Sequence, residues 1–180
     1  MSKYIALLRG INVGGHKKII MADLKILFQK LGFSDVASYI QSGNIIFQSK
    51  ERDISELENQ IQQTIENVYG FKVPVLVMTN LKLQKIVSDN PFKPFGKDEY
   101  SKIYYVFLKD VPQRKLVELF NEMEFQNERF FIQRDYIYLK CLAGMGKAKL
   151  STNVFEQKLG VRATARNHKT TLKLLELAHG

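Results

Sequence analysis

Two basic loops that contain glycine are the segments of this sequence best suited to hold an anion. The first, residues 9–18, reads Arg-Gly-Ile-Asn-Val-Gly-Gly-His-Lys-Lys and joins a predicted strand to a predicted helix, where phosphate loops commonly occur. Glycine lets main-chain N–H groups approach an anion closely. The spacing matches neither the dinucleotide fingerprint nor the P-loop, so a turn with positive φ and solvated lysines explains the segment equally well. Its candidate binding residues are Arg9, Gly10, Asn12, Gly14, Gly15 and Lys18.

The second basic loop, residues 144–151, reads Gly-Met-Gly-Lys-Ala-Lys-Leu-Ser and opens a predicted helix, whose N-terminus adds partial positive charge. It is too short for a P-loop. Asn153 and Glu156 have the spacing of an ordinary capping box, which is the alternative explanation. Anion binding is slightly favoured because further basic residues follow closely. The candidate residues here are Lys147, Lys149, Arg162 and Arg166.

A hairpin-turn signal, Gln-Ser-Gly-Asn at residues 41–44, joins two predicted strands. The turn itself is the simplest explanation of these residues. If the first strands are neighbours in one sheet, however, this turn lies at the sheet end where the first strand exits. We therefore expect one cluster of polar residues there, and three of its members join the candidate binding residues. The cluster comprises Arg9, Asn12, Gln41, Ser42 and Asn44.

Aromatic residues on three predicted strands offer a second way to bind nucleic acid. On an open sheet face they would stack on bases, while Arg129, Arg134 and Lys140 would contact phosphates. The RNA-recognition consensus is absent, and the simpler explanation is that these side chains belong to the core or pack beneath a helix. The aromatic residues are Tyr104, Tyr105, Phe130, Phe131, Tyr136 and Tyr138.

The sequence contains no recognisable catalytic or metal-binding pattern. His16, His168 and His179 have no ligand-like spacing, so we predict no metal and no cofactor. Signatures of hydrolases, metalloproteases and paired-carboxylate enzymes are also absent. Cys141 is the single cysteine, which excludes an internal disulfide, and its alternating surroundings favour a buried structural thiol. Whether the protein is an enzyme stays open.

Composition and charge are those of a basic globular protein. The net charge is +9, and residues 143–180 contribute +5 of it. A positive field attracts nucleic acid or phosphorylated small molecules, although from charge alone a solvated surface that aids solubility is the favoured explanation. The apolar stretches are only strand-sized, and the one near the N-terminus is too short for a signal peptide. We therefore expect a cytoplasmic protein that does not associate with membranes.

The order of predicted elements indicates an α+β fold of two packed subdomains. Residues 1–79 read β-α-β-β-α-β, the ferredoxin-like pattern, and residues 80–100 form a short helix and a connector. Residues 101–180 form a β-α-β-β-α variant, followed by an extended segment at 162–167 and an extra C-terminal helix at 170–179.

Four segments together resemble the uncharacterised bacterial domain-of-unknown-function family 1697. They are residues 4–15, 39–47, 146–151 and 163–167. The resemblance implies an α+β fold with two subdomains over nearly the whole chain, and it implies no activity. The family's Thr-x-Arg-Asn segment fits Thr164, Arg166 and Asn167, so Thr164 and Asn167 also become candidate binding residues. His168 stands where the family usually has an aromatic residue.

Three functions are compatible with these observations. Binding of nucleic acid or nucleotide phosphate by residues 9–18 and 147–166 is favoured, with Asn12, Gln41 and Asn44 adding specificity. The second is an enzyme that acts on a small anionic metabolite in a cleft between the subdomains. The third is a non-catalytic protein-interaction module. Only the first predicts binding to a polyanion that weakens steeply with salt.

Overall fold

The computed structural model describes residues 1–92 and 96–179. The chain separates into two compact units, of which the first comprises residues 1–88 and 173–180 and the second comprises residues 89–172. Part of the predicted connector, residues 93–95, lies outside the described residues. None of the helices within the described ranges has both the length and the apolar character that crossing a bilayer requires.

The first unit contains four strands and three helices in chain order. They are β1 (Ser2–Leu8), α1 (Met21–Lys30), β2 (Ser34–Tyr39), β3 (Asn44–Ser49), α2 (Ile54–Tyr69), β4 (Val75–Thr79) and α3 (Asn80–Ser88). The strands form one antiparallel sheet in the order β2-β3-β1-β4. This order places β1 in the centre, so the loop that follows β1 leaves the sheet between β3 and β4.

The core of the first unit lies where α1 and α2 present apolar stripes to the sheet. Phe28 of α1 is fully buried and meets Phe47 of β3 edge to face, with ring centroids 5.4 Å apart. The stripe of α2 is buried as well, and Asp53 caps this helix by accepting the main-chain N–H groups of Ser55 and Glu56. Local capping and periodic burial therefore act together to fix α2.

The second unit contains the remaining elements. They are β5 (Ile103–Leu108), α4 (Arg114–Asn121), β6 (Glu128–Ile132), β7 (Tyr136–Cys141), α5 (Thr152–Leu159), β8 (Ala163–Asn167) and α6 (His168–His179), the last of which continues into the first unit. The strands form an antiparallel sheet in the order β6-β7-β5-β8, the same topology as in the first unit. Short 3₁₀ turns lie at Lys97–Ser101 and Met145–Lys147.

The aromatic strands of the second unit do not form an open face. Phe120 of α4 and Phe155 of α5 stack at 5.3 Å within the core on one side of the sheet. On the other side Tyr105 and Tyr138 are only 0% and 1% exposed. Tyr105 and Tyr138 therefore belong to the interior, as the simpler explanation predicted, whereas Phe131 on the edge strand is 50% exposed.

The predicted α+β architecture with two subdomains is confirmed. The structure adds that the extended segment at 162–167 becomes β8, which pairs with β5 and completes the β-α-β-β-α-β order of the second unit. The last helix begins at His168, two residues before the predicted start, because the Asn167 side chain accepts the main-chain N–H of Thr170 and caps the helix.

Candidate anion-binding site

The loop after β1 folds into a small hairpin, residues 12–17, which we call the finger. The main-chain N–H of Asn12 donates to the Lys17 carbonyl oxygen at 3.2 Å, and that of His16 donates to Val13 at 3.0 Å. Gly14 and Gly15 form the two-residue turn, with φ of +56° and +78°. A tight hairpin turn of this kind needs positive φ at both central residues, which glycine adopts without strain. The geometry of the turn is therefore sufficient to explain both glycines.

Asn12 clamps the base of the finger. Its side-chain Nδ2 donates to the carbonyl oxygens of Ile19 and Gln41, both at 2.9 Å, and its Oδ1 accepts the N–H of Ile19 at 2.9 Å. The Asn12 amide thus holds three chain segments together, at residues 12, 19 and 41. The expected proximity of Asn12 and Gln41 is present, but the Asn12 amide is engaged within the protein. A role for Asn12 in binding stays a prediction.

The turn at residues 40–44 packs against the exit of β1. Asn44 is fully buried, and its Nδ2 donates to the Tyr39 carbonyl and to Ser42 Oγ at 3.0 and 2.9 Å. A Cβ on Gly43 would lie 2.6 Å from Leu8 Cβ, so only glycine fits there. Asn44 and Gly43 are therefore engaged in building the turn, whereas the side chains of Ile40 and Gln41 are exposed.

Backbone strain concentrates in this region. Four non-glycine residues in the described part of the chain have positive φ, and three of them lie here: Asn12 at +56°, Lys17 at +47° and Ile40 at +52°. A β-branched residue such as Ile40 is a clear outlier in this conformation. Strained residues persist where the surrounding structure holds them, and they cluster at binding sites. This strain is a second reason to regard the finger and the 40–44 turn as one candidate site.

The chain segments that meet at this end of the sheet carry positive charge and no acid. Residues 9–22, 36–50 and 67–88 contain no aspartate or glutamate. Main-chain hydrogen bonds tie the segments together: Leu8 N–H donates to Gly43 at 2.8 Å, and Arg9 N–H donates to Pro74 at 2.9 Å. His16 and Lys17 on the finger and Lys18 directly after it have exposed side chains, whereas Arg9 is half-buried.

Lys72 extends this basic surface. The Lys17 ammonium donates to the Lys72 carbonyl oxygen at 2.7 Å, and the Lys72 side chain is itself 86% exposed. Glu66 of α2 approaches the Lys72 ammonium only at 4.0 Å, across a solvent-exposed gap in which ion pairs are weak. Three lysines, at positions 17, 18 and 72, therefore present ammonium groups at one end of the first unit.

The second basic loop uses one of its main-chain donors internally. The N–H of Lys149 donates to the carboxylate of the buried Glu128 at 2.5 Å. Ser151, rather than Asn153, caps α5, and the Glu156 carboxylate accepts the N–H of Ala163. Lys147 and Lys149 are exposed, so this loop would contact an anion through lysine side chains rather than through a nest of main-chain N–H groups.

The candidate residues at 162–167, on β8 and directly before it, divide between surface and interior. Arg162 is exposed, whereas Thr164 and Arg166 are 4% and 9% exposed. The Arg166 guanidinium donates to Thr164 Oγ1 at 3.0 Å and to the Ala165 carbonyl at 2.8 Å, and burial lowers its pKa to about 10. Arg166 still carries its charge at neutral pH. Because Asn167 caps α6, Arg162 is the residue of this group that a polyanion reaches most readily.

The second unit contains a buried network of hydrogen-bonded side chains that the sequence did not predict. Asn90 Nδ2 donates to the Tyr105 hydroxyl at 3.0 Å, and this hydroxyl lies 2.7 Å from His168 Nδ1. Tyr100 meets the His168 ring edge to face. Burial raises the pKa of Tyr105 to about 12 and lowers the pKa of His168. The one sequence feature that pointed to this network was His168, which stands where the family usually has an aromatic residue.

Neither a metal centre nor a reactive thiol is built from the described side chains. Among residues 1–92 and 96–179, no three His, Cys, Asp or Glu side chains are placed to hold a metal ion. Cys141 is 1% exposed, and burial together with the charge of Glu128 raises its pKa to about 11. Such a thiol is protonated and unreactive at neutral pH.

These features define an α+β protein with two ferredoxin-like units, the first of which carries an exposed basic finger. The family model described as "Protein of unknown function (DUF1697)" matches residues 1–138, and the protein belongs to that family. The structure of the conserved bacterial protein SP0830 from Streptococcus pneumoniae is similar, with 22% sequence identity, a TM-score of 0.77 and 98% of both chains covered. This likeness concerns the fold alone. No curated protein matches the sequence significantly.

Proposed function

We propose that the protein binds nucleic acid, or the phosphate of a nucleotide, at the finger and the 40–44 turn of the first unit. The observation that carries this proposal is the basic end of the sheet, where three exposed lysines surround a clamped glycine turn. A cluster of cations in which the one described ion pair, between Lys72 and Glu66, is long and solvent-exposed attracts phosphate.

Each part of the site has a role in this proposal. The Lys17 ammonium uses one of its three N–H donors on the Lys72 carbonyl, and two stay available for phosphate oxygens. The Gly14–Gly15 turn lets a phosphate or sugar approach the backbone of the finger closely. The exposed Gln41 amide both donates and accepts, which suits recognition of a base edge.

Salt-dependent binding tests the proposal. Fluorescence anisotropy with labelled single-stranded RNA and duplex DNA is measured at about 50 and 200 mM salt. Contacts by Arg9, Lys17, Lys18 and Lys72 would neutralise about four phosphates. Counterion release then weakens binding about 50-fold for the single strand and about 150-fold for the duplex over this range. If no probe binds at the lower salt, the proposal is wrong for nucleic acid.

A matched pair of variants separates the site from general charge. Replacing Lys17 and Lys18 by alanine should lower the affinity and reduce the salt slope by about 1.4–1.8. Replacing Lys50 and Arg52 removes the same charge at the opposite end of the sheet, next to Ser49, which pairs with Ser2. That control should bind almost as the unmodified protein does. Equal losses in both variants would mean diffuse attraction and no site.

Other outcomes point to the other functions. Tight binding of one phosphorylated metabolite, with no binding of RNA or DNA, would favour an enzyme that acts on a small anion. A third double variant, in which Lys147 and Lys149 become alanine, shows whether the exposed basic loop of the second unit adds to the affinity. If neither polymers nor phosphorylated metabolites bind, a protein-interaction role becomes the better hypothesis.

A further inference from the structure

Exposed aliphatic side chains lie around the clamp at the base of the finger. The Asn12 amide bonds to the main chain of Ile19 and of Gln41, and each of these three residues has an exposed aliphatic residue as its direct neighbour in the chain. The neighbours are Val13, Ile20 and Ile40, which are 65%, 67% and 50% exposed. Because one amide joins the residues beside them, these three side chains belong to one region of the surface, which we call the apolar patch.

Folding does not account for the residue types in the apolar patch. Ile40 is β-branched and adopts a φ of +52°, a conformation in which such a residue is strained, and half of its surface stays exposed. Val13 lies at the end of the finger, where it bridges to the exposed His16 across the glycine turn. Residues that gain little from burial, one of them strained as well, are expected where the surface contacts a ligand.

Positive charge borders the apolar patch. Lys17 and Lys18 shortly precede Ile20 in the chain, and the Lys17 ammonium reaches the carbonyl oxygen of Lys72. The acids that border these segments at this end of the sheet are Asp23 of α1 and Glu66 of α2, and they are outnumbered by Arg9 and the three lysines. A ligand that matches this surface therefore combines apolar area with adjacent negative charge.

We propose that the apolar patch contacts the faces of unpaired bases, so that single-stranded nucleic acid is the preferred ligand of the finger. This inference rests on the nucleic-acid binding proposed above and names the class of strand. A single strand exposes base faces beside its phosphates, so the apolar patch and the lysines engage one ligand together. In a duplex the base faces are stacked on one another, and an aliphatic side chain reaches them only after a base step is unstacked.

The exposed Gln41 amide argues against a lipid bilayer as the occupant. Gln41 directly follows Ile40, so insertion of Ile40 into hydrocarbon would take this amide out of water without a hydrogen-bonding partner, which is costly. The edge of a base instead offers both donors and acceptors to the amide. The patch also lacks the tryptophan, phenylalanine and leucine that are typical of segments lying in a membrane surface.

A strand without bases tests this inference. Fluorescence anisotropy of the full chain compares labelled single-stranded DNA with an abasic strand of the same length, which keeps the phosphates, and with duplex DNA at about 50 and 200 mM salt. The single strand should bind more tightly than the abasic strand at both salt concentrations, and more tightly than the duplex at the higher one, where electrostatic attraction is weaker.

Ile20→Ser isolates the apolar contact. Ile20 is the N-cap residue of α1, a position that favours serine, so the variant should fold. Its affinity for the single strand should fall about fivefold, which corresponds to losing about half the burial of one isoleucine side chain. The salt slope and the affinities for abasic strand and duplex should not change, because no charge is removed. The matched control is Leu81→Ser, which removes a 76% exposed side chain near the opposite end of the sheet, where Thr79 pairs with Tyr4, and should bind as the unmodified protein does.

The outcomes separate this inference from the proposed function. Equal binding of the single strand and the abasic strand, or an unchanged affinity in Ile20→Ser, would overturn the base contact while the lysine site stands. If no strand binds at the lower salt, both proposals are wrong. Binding to vesicles of anionic lipid that Ile20→Ser abolishes, while strand binding is unaffected, would assign the apolar patch to a membrane surface and refute the inference.

Discussion

Replacing Asn12 by aspartate should loosen the finger while it preserves the shape of the side chain. The carboxylate still accepts the N–H of Ile19, but it can no longer donate to the Ile19 and Gln41 carbonyl oxygens, which now accept from Nδ2 at 2.9 Å each. An unprotonated oxygen would face two carbonyl oxygens instead. The change therefore removes two attractive contacts and introduces repulsion at the same points.

The size of the effect follows from these contacts. A net contribution of about 1 kcal/mol for each hydrogen bond gives a loss of about 2 kcal/mol for Asn12→Asp. Asn12→Ala loses three bonds and places alanine at a φ of +56°, so about 3–4 kcal/mol is expected. For a chain of this size, 2 kcal/mol corresponds to a fall in Tm of about 4–8 °C.

Urea denaturation and amide hydrogen exchange measure this loss. Exchange of the Ile19 amide hydrogen should accelerate in Asn12→Ala because its acceptor is removed, and in Asn12→Asp because the loosened finger opens more often. Gln41→Ala is the control: the clamp uses the Gln41 carbonyl oxygen, so the side chain can be removed at a cost below about 0.5 kcal/mol. If Asn12→Asp is as stable as the unmodified protein, the clamp does not hold the finger and the reasoning is wrong.

Three further predictions concern packing, pH and strain. Gly43→Ala should cost about 2–4 kcal/mol in urea denaturation, because the new Cβ would lie 2.6 Å from Leu8 Cβ, whereas Gly70→Ala has a similar φ with no atom within 4 Å and should cost about 1–2 kcal/mol. Burial lowers the pKa of His168 below its ordinary 6.5, so the unfolded chain alone gains a proton as the pH falls below that value, and stability should decrease there. His168→Gln should flatten that acid limb, and an unchanged limb would contradict a buried neutral histidine. Ile40→Gly should raise the free energy of unfolding by up to about 1 kcal/mol if the left-handed conformation at +52° is strained, and a loss of stability would contradict that.

Much of the fold was predictable because local signals agree with the tertiary structure. The helix α2 was expected from an apolar stripe after Asp53 and an end at Gly70, and both residues cap it as expected, with Gly70 at a φ of +75°. The segment at 162–167 was harder, since Thr-Ala-Arg-Asn has little strand character of its own. Pairing with β5 makes it a strand.

The candidate site shows the same division. The sequence by itself determined the glycine turn of the finger, the turn at residues 41–44 and the basic character of both loops, because these depend on residue type and on neighbours along the chain. Only the tertiary structure decided that Asn12 bonds to Gln41, that Lys17 reaches the carbonyl of Lys72, and that Arg166 is buried while Arg162 is exposed. These outcomes depend on strand order and on which sheet face is covered, and those follow from contacts between residues far apart in the chain.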